Sequence, residues 1–439
     1  MATKNVKSKG YYALKTHEGA PAKRINDKLA LKRSVLACLL WEDSFYESGE
    51  SITDRIKNLV AKCESNFVID LAKEARTKFK LRHVPLLLLR EEVRKGSKIA
   101  DALEFIIQRA DELSEFLAMY WDGEKTPISA QVKKGLARAF TKFDEYQLAK
   151  YNRANIVKLR DVLFLTHAKP KDFAQAELWK KLVNDTLEIP GTWENELSAG
   201  KDKKEAFTRL ISEKKLGALA LIRNLRNMVQ TGVDTTLVKE AILNMRTERI
   251  LPFRFISAEK YAPTFSKALE QAMFKCLKEH EKLSGATTLL IDVSGSMDAG
   301  LSNKSDLLRM EAAAALAMLI NEISDDTRIF TFSDNVVEVP ARKGFGLKDA
   351  IIGSQFHNGT YLGRAISEIN NCVDKKDRLI VFSDEQSHDA IPALKFERAY
   401  MINVASYQNG VGYGNGWTAH ITGFSEAVVD YILAYEKDF

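Results

Sequence analysis

The 439-residue chain is 45% hydrophobic and 28% charged, the balance of a soluble globular protein of two or three domains, which excludes collagen-like, largely disordered and disulfide-scaffold classes. Its longest apolar runs, Val84–Leu89 and Ala312–Ile320, fall well short of the roughly 18 residues a bilayer span needs, and the three lysines of Met1–Gly10 precede no apolar leader, so no membrane segment is expected and the cytoplasm is the expected compartment. The net charge of +6 hides a division: residues 1–283 hold 52 Lys+Arg against 38 Asp+Glu, whereas residues 284–439 hold 13 against 21. A basic part joined to an acidic one suggests a polyanion partner for the first, although solvated basic helices give the same balance.

Up to Leu283 the spacing of apolar residues predicts consecutive amphipathic helices over Asp27–Leu40, Thr53–Lys62, Phe67–Phe79, Val84–Arg94, Ile99–Tyr120, Ser129–Phe140, Val157–His167, Lys203–Glu213, Leu216–Met228, Thr235–Asn244 and Thr264–Leu283. Lys95-Gly96-Ser97, Lys169-Pro170, Pro190-Gly191 and Thr231-Gly232 supply stop and start signals between them. Many short helices with short connectors suggest stacked pairs of a HEAT-like solenoid, or a compact bundle, since no fixed period stands out. Cys38, Cys63, Cys276 and Cys372 form no C-x-x-C pair and are expected to be reduced core residues.

After Ser284 the period changes. Short apolar runs at Ala286–Val293, Arg328–Ser333, Arg378–Ser383 and Ala399–Ala405 alternate with helical spacing at Ser305–Ile323, Thr360–Cys372 and Ser425–Tyr435, which predicts a doubly wound α/β domain over 284–439 with a mostly parallel sheet. Ligands of such sheets bind at the carboxyl ends of the strands. There stand Asp292, Ser294 and Ser296, set two apart in a tight loop, with Thr360 and Asp384 in two further loops. Carboxylate and hydroxyl oxygens of this kind suit a hard divalent cation. The serines have no activating base nearby in sequence, and no nucleophile elbow, P-loop or dinucleotide fingerprint occurs, so catalysis is not expected.

Within the helical part, residues 131–171 concentrate ten basic residues, Lys133, Lys134, Arg138, Lys142, Lys150, Arg153, Lys158, Arg160, Lys169 and Lys171, against Asp144, Glu145 and Asp161. Such density suits phosphate contacts, whose affinity grows with each counterion released. Arg160 and His167 share a face if their helix is continuous, but Leu163 and Phe164 flank that face, so spacing alone leaves His167 either buried or exposed. Arg223 and Arg226 serve either as phosphate donors or as solvated residues of a core helix, and Phe253 and Phe255 around Arg254 either stack on unpaired bases or pack in the core, the second being the expectation.

Residues Thr288–Met297 with Thr360 and Asp384 resemble the metal-ion-dependent adhesion site of von Willebrand factor A domains. The resemblance implies Mg²⁺ or Mn²⁺ bound by the two serines and the threonine, with the aspartates coordinating directly or through water and one position open to a partner's carboxylate. FDEYQLAKY at 143–151, DVLFLTHAKPK at 161–171, TWENELS at 192–198, LALIRNLRNM at 219–228, ILPFRFISAEKY at 250–261 and ITGFSEAVVDYI at 421–432 resemble the TROVE module and closing domain of the Ro autoantigen family. This implies an all-α ring of HEAT-like helices over 1–283 closed by the von Willebrand domain, in a monomer. Y-like small noncoding RNA would lie on the outer surface, where Lys150 and His167 match the family. Single-stranded ends of misfolded or structured RNA would enter the ring near Arg223 and Arg226, for delivery to an exoribonuclease such as polynucleotide phosphorylase. Residues 406–418 form a short Gly-rich connection where the family has a longer loop. A protein-binding adhesion or assembly module and a metal-dependent ribonuclease are the competing readings.

Overall fold

The computed structural model describes residues 15–436 apart from 17, 21–25, 37–47, 123, 153–155, 189–192, 194–201, 248–249, 251, 276–281, 302–305, 406–409, 413–415, 424–427, 430–431 and 434–435. Arg153, Cys38, Cys276 and most of Thr192–Ser198 and of the helix expected at Ser425–Tyr435 lie outside the described residues.

The first part contains α1 (Asp27–Leu36), α2 (Gly49–Lys62), α3 (Ser65–Thr77), α4 (His83–Arg94), α5 (Ala100–Ile106), α6 (Asp111–Trp121), α7 (Ala130–Phe140), α8 (Glu145–Tyr151), α9 (Leu159–Thr166) and α10 (Phe173–Val183). Helices two apart in the chain pack together, α2 on α4, α3 on α5, α4 on α6 and α5 on α7, which is the stacking of helix pairs in a solenoid. The helix expected over Ile99–Tyr120 is two, broken at residues 107–110. The break is a capping device: the Glu112 carboxylate accepts the N–H groups of Gln108 (2.8 Å) and Arg109 (3.1 Å) and the buried Arg76 guanidinium (2.5 Å). Helices α8 and α10 escape the sequence reading, being short and rich in polar residues, yet each starts on an aspartate cap, Asp144 and Asp172.

The second helical group is α11 (Lys203–Ser212), α12 (Ala218–Thr231), α13 (Thr235–Asn244), α14 (Pro252–Tyr261) and α15 (Ser266–Phe274). The helix expected to run from Thr264 to Leu283 therefore ends early, and Leu283 already belongs to a strand. From there follow β1 (Leu283–Asp292), α16 (Arg309–Ile323), β2 (Ser324–Phe332), β3 (Val336–Glu338), α17 (Gly344–Ile352), α18 (Leu362–Cys372), β4 (Arg378–Ser383), β5 (Arg398–Asn403) and β6 (Ala419–Thr422). The sheet order is β3-β2-β1-β4-β5-β6, parallel except for β3. The short strands β3 and β6 and helix α17 were not legible in the sequence.

Alternation along β1 sends Leu289, Ile291 and Val293 to one face and Leu290 to the other. The first face shares a continuous apolar core with α11–α15, whereas α1–α10 form a separate core of their own. Helix α16 is apolar nearly all round because it lies between the sheet and α14. At the other end of the array α1 touches β6, so the helical part contacts the α/β domain at both its ends. Gly423 stands in that second contact with φ +140°, and a Cβ there would lie 2.6 Å from the Phe79 ring. An upstream strap also docks on the domain: Ala20 enters the second core face, and the Thr16 hydroxyl donates to the Ser387 carbonyl at 2.7 Å. Cys63 is buried as expected, but Cys372, in the last turn of α18, is exposed. Among the described residues no helix is long and apolar enough to cross a membrane.

Candidate metal loops and nucleic-acid interface

Chain order in the sheet reverses between β1 and β4, so the crevice at their carboxyl ends is the topological switch point. Asp292 ends β1 and Asp384 follows β4; both are fully buried. Asp292 accepts from the Ser383 hydroxyl (2.6 Å) and from the Ser294 N–H (2.9 Å), while the Ser294 and Ser296 hydroxyls stand 3.5 Å apart. The Gly295 N–H donates to the Asn358 carbonyl at 2.9 Å, tying this loop to the one that carries the buried Thr360. The Thr360 loop is braced in turn by His388, whose Nδ1 accepts the Thr360 N–H (3.1 Å) and whose Nε2 donates to Glu18 of the strap (3.1 Å), with the ring stacked on Tyr361.

Burial and the nearby charge of Asp384 push the Asp292 carboxyl up to about 7. Two repelling buried carboxylates among hydroxyl oxygens are a donor set that a divalent cation would satisfy, so the residues fit the expected metal. Among the described residues no three His, Cys, Asp or Glu side chains gather as a metal cluster, and a cation here would depend on the hydroxyls. One participant was not foreseen. The buried Arg309 guanidinium donates to Asp384 Oδ2 at 3.1 Å and offsets part of its charge. Nothing local in the sequence marks it, because the contact joins the start of α16 to a loop 75 residues away.

His357 closes the rim of the crevice. Its Nδ1 meets the Asp298 carboxylate at 2.8 Å and its Nε2 the Ile352 carbonyl at 2.9 Å, so both nitrogens face acceptors, an arrangement that favours the protonated ring. Partial burial disfavours that charge, but the carbonyl and the carboxylate outweigh it and raise the His357 pKa. The stabilisation is then fully present below the unfolded value of about 6.5 and is lost as pH rises through the raised folded value. Thermal melts of wild type and His357→Gln should therefore differ most at pH 5.5, with the difference shrinking as pH rises past the raised folded value; a pH-independent difference would refute the ionic clasp.

The basic segment divides by use. Arg138 pairs with Asp101 (2.6 Å), Arg160 with Asp185 (3.5 Å), and Lys142 is spent on the carbonyls of Glu104 and Ile107. Among the described residues Lys133, Lys134, Lys150, Lys169 and Lys171 have no carboxylate within ion-pair distance, and Lys150 Nζ lies over the Tyr151 ring. The face shared by Arg160 and His167 does not exist as expected, because α9 ends at Thr166 and His167 is its left-handed C-cap, φ 52°. The same geometry settles its exposure: His167 projects into solvent.

Arg223 and Arg226 are exposed on α12. Arg254 of α14 comes beside them, its pKa lowered by burial and by the charge of Arg223. Arg226 lies 5.4 Å over the Tyr261 ring, whose hydroxyl donates to Asp306 of the α/β domain at 3.2 Å. Arg254 and Tyr261 were not singled out from the sequence, since only the packing of α12 on α14 groups them with Arg223 and Arg226. Phe255 is buried as expected, and the side chain of Phe253 lies outside the described residues.

Comparison with known proteins matches residues 180–293 to the TROVE domain and residues 287–386 to the von Willebrand factor type A domain. Telomerase protein component 1 of Mus musculus and that of Rattus norvegicus are each 35% identical over 78 residues, 16% of this chain, and the chain spans only 3% of their length. The crystal structure of the Ro (RSR) protein of Deinococcus radiodurans superposes with a TM-score of 0.62 at 19% identity, covering 94% of this chain and 100% of that one. The chain thus carries a stretch that matches the TROVE domain leading into one that matches the von Willebrand factor type A domain, and its overall fold is similar to that of the Deinococcus radiodurans Ro (RSR) protein.

Proposed function

We propose that the protein is an RNA-binding scaffold. Residues 1–283 supply the binding surfaces, with a folded Y-like small noncoding RNA on the outer helices around Lys150 and His167 and single-stranded RNA ends on the Arg223, Arg226 and Arg254 face. Presentation of such ends to an exoribonuclease, of the polynucleotide phosphorylase type, is the role in noncoding-RNA quality control that this division supports. The carrying observation is the set of lysines at 133, 134, 150, 169 and 171 that face no carboxylate among the described residues, within a segment of net charge +7. Purified protein should retain nucleic acid, and added labelled RNA should be bound and remain intact with Mg²⁺ present. Sustained cleavage that Asp292→Ala abolishes would instead establish a metal-dependent ribonuclease. Binding without hydrolysis is favoured because one of the two site carboxylates is already paired with Arg309, which departs from the carboxylate clusters that hold paired metals for phosphoryl chemistry.

We also propose that Asp292, Ser294, Ser296 and Thr360, with Asp384, hold Mg²⁺ or Mn²⁺. The cation would supply a positive centre for an acidic group of a partner, while Arg309 keeps Asp384 oriented. Saturating cation, about 100 times its dissociation constant, should stabilise the wild type by ~2.7 kcal/mol and leave Asp292→Ala unmoved. Melting that ignores both EDTA and added Mg²⁺ or Mn²⁺ would remove the metal from the account.

A further inference from the structure

Among the described residues twelve large apolar side chains remain exposed, and five of them, Tyr146, Ile156, Phe164, Leu165 and Phe173, fall within residues 146–173. Apolar exposure is thus concentrated in the segment that also carries the positive charge. Its focus is the corner between α9 and α10. Leu159, Val162 and Leu163 turn inward, leaving Phe164 60% exposed on the opposite side, and Phe173 at the start of α10 is 79% exposed. Along the chain between Phe164 and Phe173 stand His167, Lys169 and Lys171, all exposed.

The corner is locked at both ends. The His167 N–H donates to the Phe164 carbonyl (3.2 Å) and the Ala168 N–H to the Leu163 carbonyl (3.3 Å), closing α9 through the left-handed His167. Asp172 caps α10 by accepting the Gln175 N–H at 2.8 Å, so the one acid of the corner is committed to backbone. Gln175 accepts the Lys171 N–H (3.0 Å) and donates to the carbonyl of Thr141, the C-cap of α7 (3.0 Å). Exposed rings on so fixed a backbone lose little freedom when a flat partner stacks on them.

We propose that this corner is a base platform: Phe164 and Phe173 stack on unpaired nucleotides that flank an RNA stem, while Lys169, Lys171 and His167 hold the adjoining phosphates. The inference rests on the RNA-binding reading and narrows its substrate to a stem interrupted or bordered by unpaired bases. A protein partner fits less well. Contiguous apolar patches mark protein interfaces, whereas these rings alternate with cations along the chain, and an acidic peptide would satisfy the lysines but leave the phenyl faces in water. Alternating aromatic and basic groups are what a stacked base and its phosphate require.

The test uses the full chain and two RNAs of equal length, a hairpin with unpaired nucleotides beside its stem, one of them 2-aminopurine, and a fully paired duplex. Phe164→Ser/Phe173→Ser should weaken the hairpin roughly 5-fold or more for each ring lost and abolish quenching of the 2-aminopurine. The duplex should bind as before, which also reports that the variant is folded. Lys150→Ala/His167→Ser should weaken both RNAs. Loss in the lysine–histidine variant but none in the phenylalanine variant overturns the platform and leaves the RNA-binding reading standing; loss in neither overturns the platform and moves the RNA site elsewhere on the basic part, and no binding of either RNA by the wild type overturns both. Equal loss for hairpin and duplex overturns stacking in favour of a packing role. Displacement of the hairpin by a polyglutamate peptide from wild type, but not from the phenylalanine variant, would assign the corner to an acidic protein instead.

Discussion

Arg33→Ala should destabilise the closed arrangement by about 3–5 kcal/mol, the cost of leaving one member of a buried ion pair without its partner. Arg33 of α1 and Glu385, the residue after Asp384, are both essentially inaccessible, and Arg33 Nη1 meets Glu385 Oε1 at 2.8 Å across 352 residues of sequence. Glu385 also accepts the Gly412 N–H (2.7 Å) and the Asn403 amide, and contacts His420 of β6. Burial alone would raise its pKa, but Arg33, His420 and Asn403 outweigh it and hold the carboxyl well below the usual range. Removing Arg33 takes away the largest of these favourable interactions and leaves a buried carboxyl with only His420, Asn403 and the Gly412 N–H to offset its burial. Replacing the pair with Arg33→Met/Glu385→Gln, which keeps an acceptor for the Gly412 N–H and the Asn403 amide, should cost less, because no uncompensated charge remains. Urea unfolding followed by signals from the α1 region reads the difference, and a loss under about 1 kcal/mol for Arg33→Ala would place the pair with ordinary surface ion pairs. The location gives the prediction its interest. At α14 and α15 the helical part joins the α/β domain through apolar core, whereas at α1 the contact is centred on this polar clasp.

Lys150→Ala/His167→Ser and Arg223→Ala/Arg226→Ala should impair different RNAs. Each pair removes charge-assisted donors worth about 1.5–3 kcal/mol apiece when fully engaged, so losses of about ten-fold or more are expected on the affected substrate. The first pair should weaken a structured small RNA and spare an unstructured strand, and the second should do the reverse. The physical basis is the separation of the two groups: Lys150 and His167 border α8 and α9, within the first helical core, whereas Arg223 and Arg226 lie on α12 near Arg254 and Tyr261, in the second. Both affinities should fall with salt, each lost phosphate contact lowering the slope of log affinity against log salt by about 0.7–0.9. Equal losses for both RNAs in both variants would reject two surfaces, and no loss in either would move the site elsewhere on the basic part.

The change from helical to alternating period near Ser284, the Asp292-Val293-Ser294-Gly295-Ser296 loop and the charge of residues 131–171 are all local features, and local spacing sufficed to read them. The same holds for the strand-end location of Asp292 and Asp384, because β1 and β4 are apolar runs whose period and length are unambiguous. What escaped were features decided by distant partners. The break at residues 107–110 depends on Glu112 meeting Arg76, the rim of the crevice on His357 reaching Asp298, and the charge at Asp384 on Arg309. The exposure of His167 turned on one backbone angle at the end of α9, a choice between burial and solvent that helical spacing leaves open. Arg33 read as one more basic residue on an amphipathic helix, and it became a buried clasp because a carboxylate 352 positions later needed a partner that water could no longer supply.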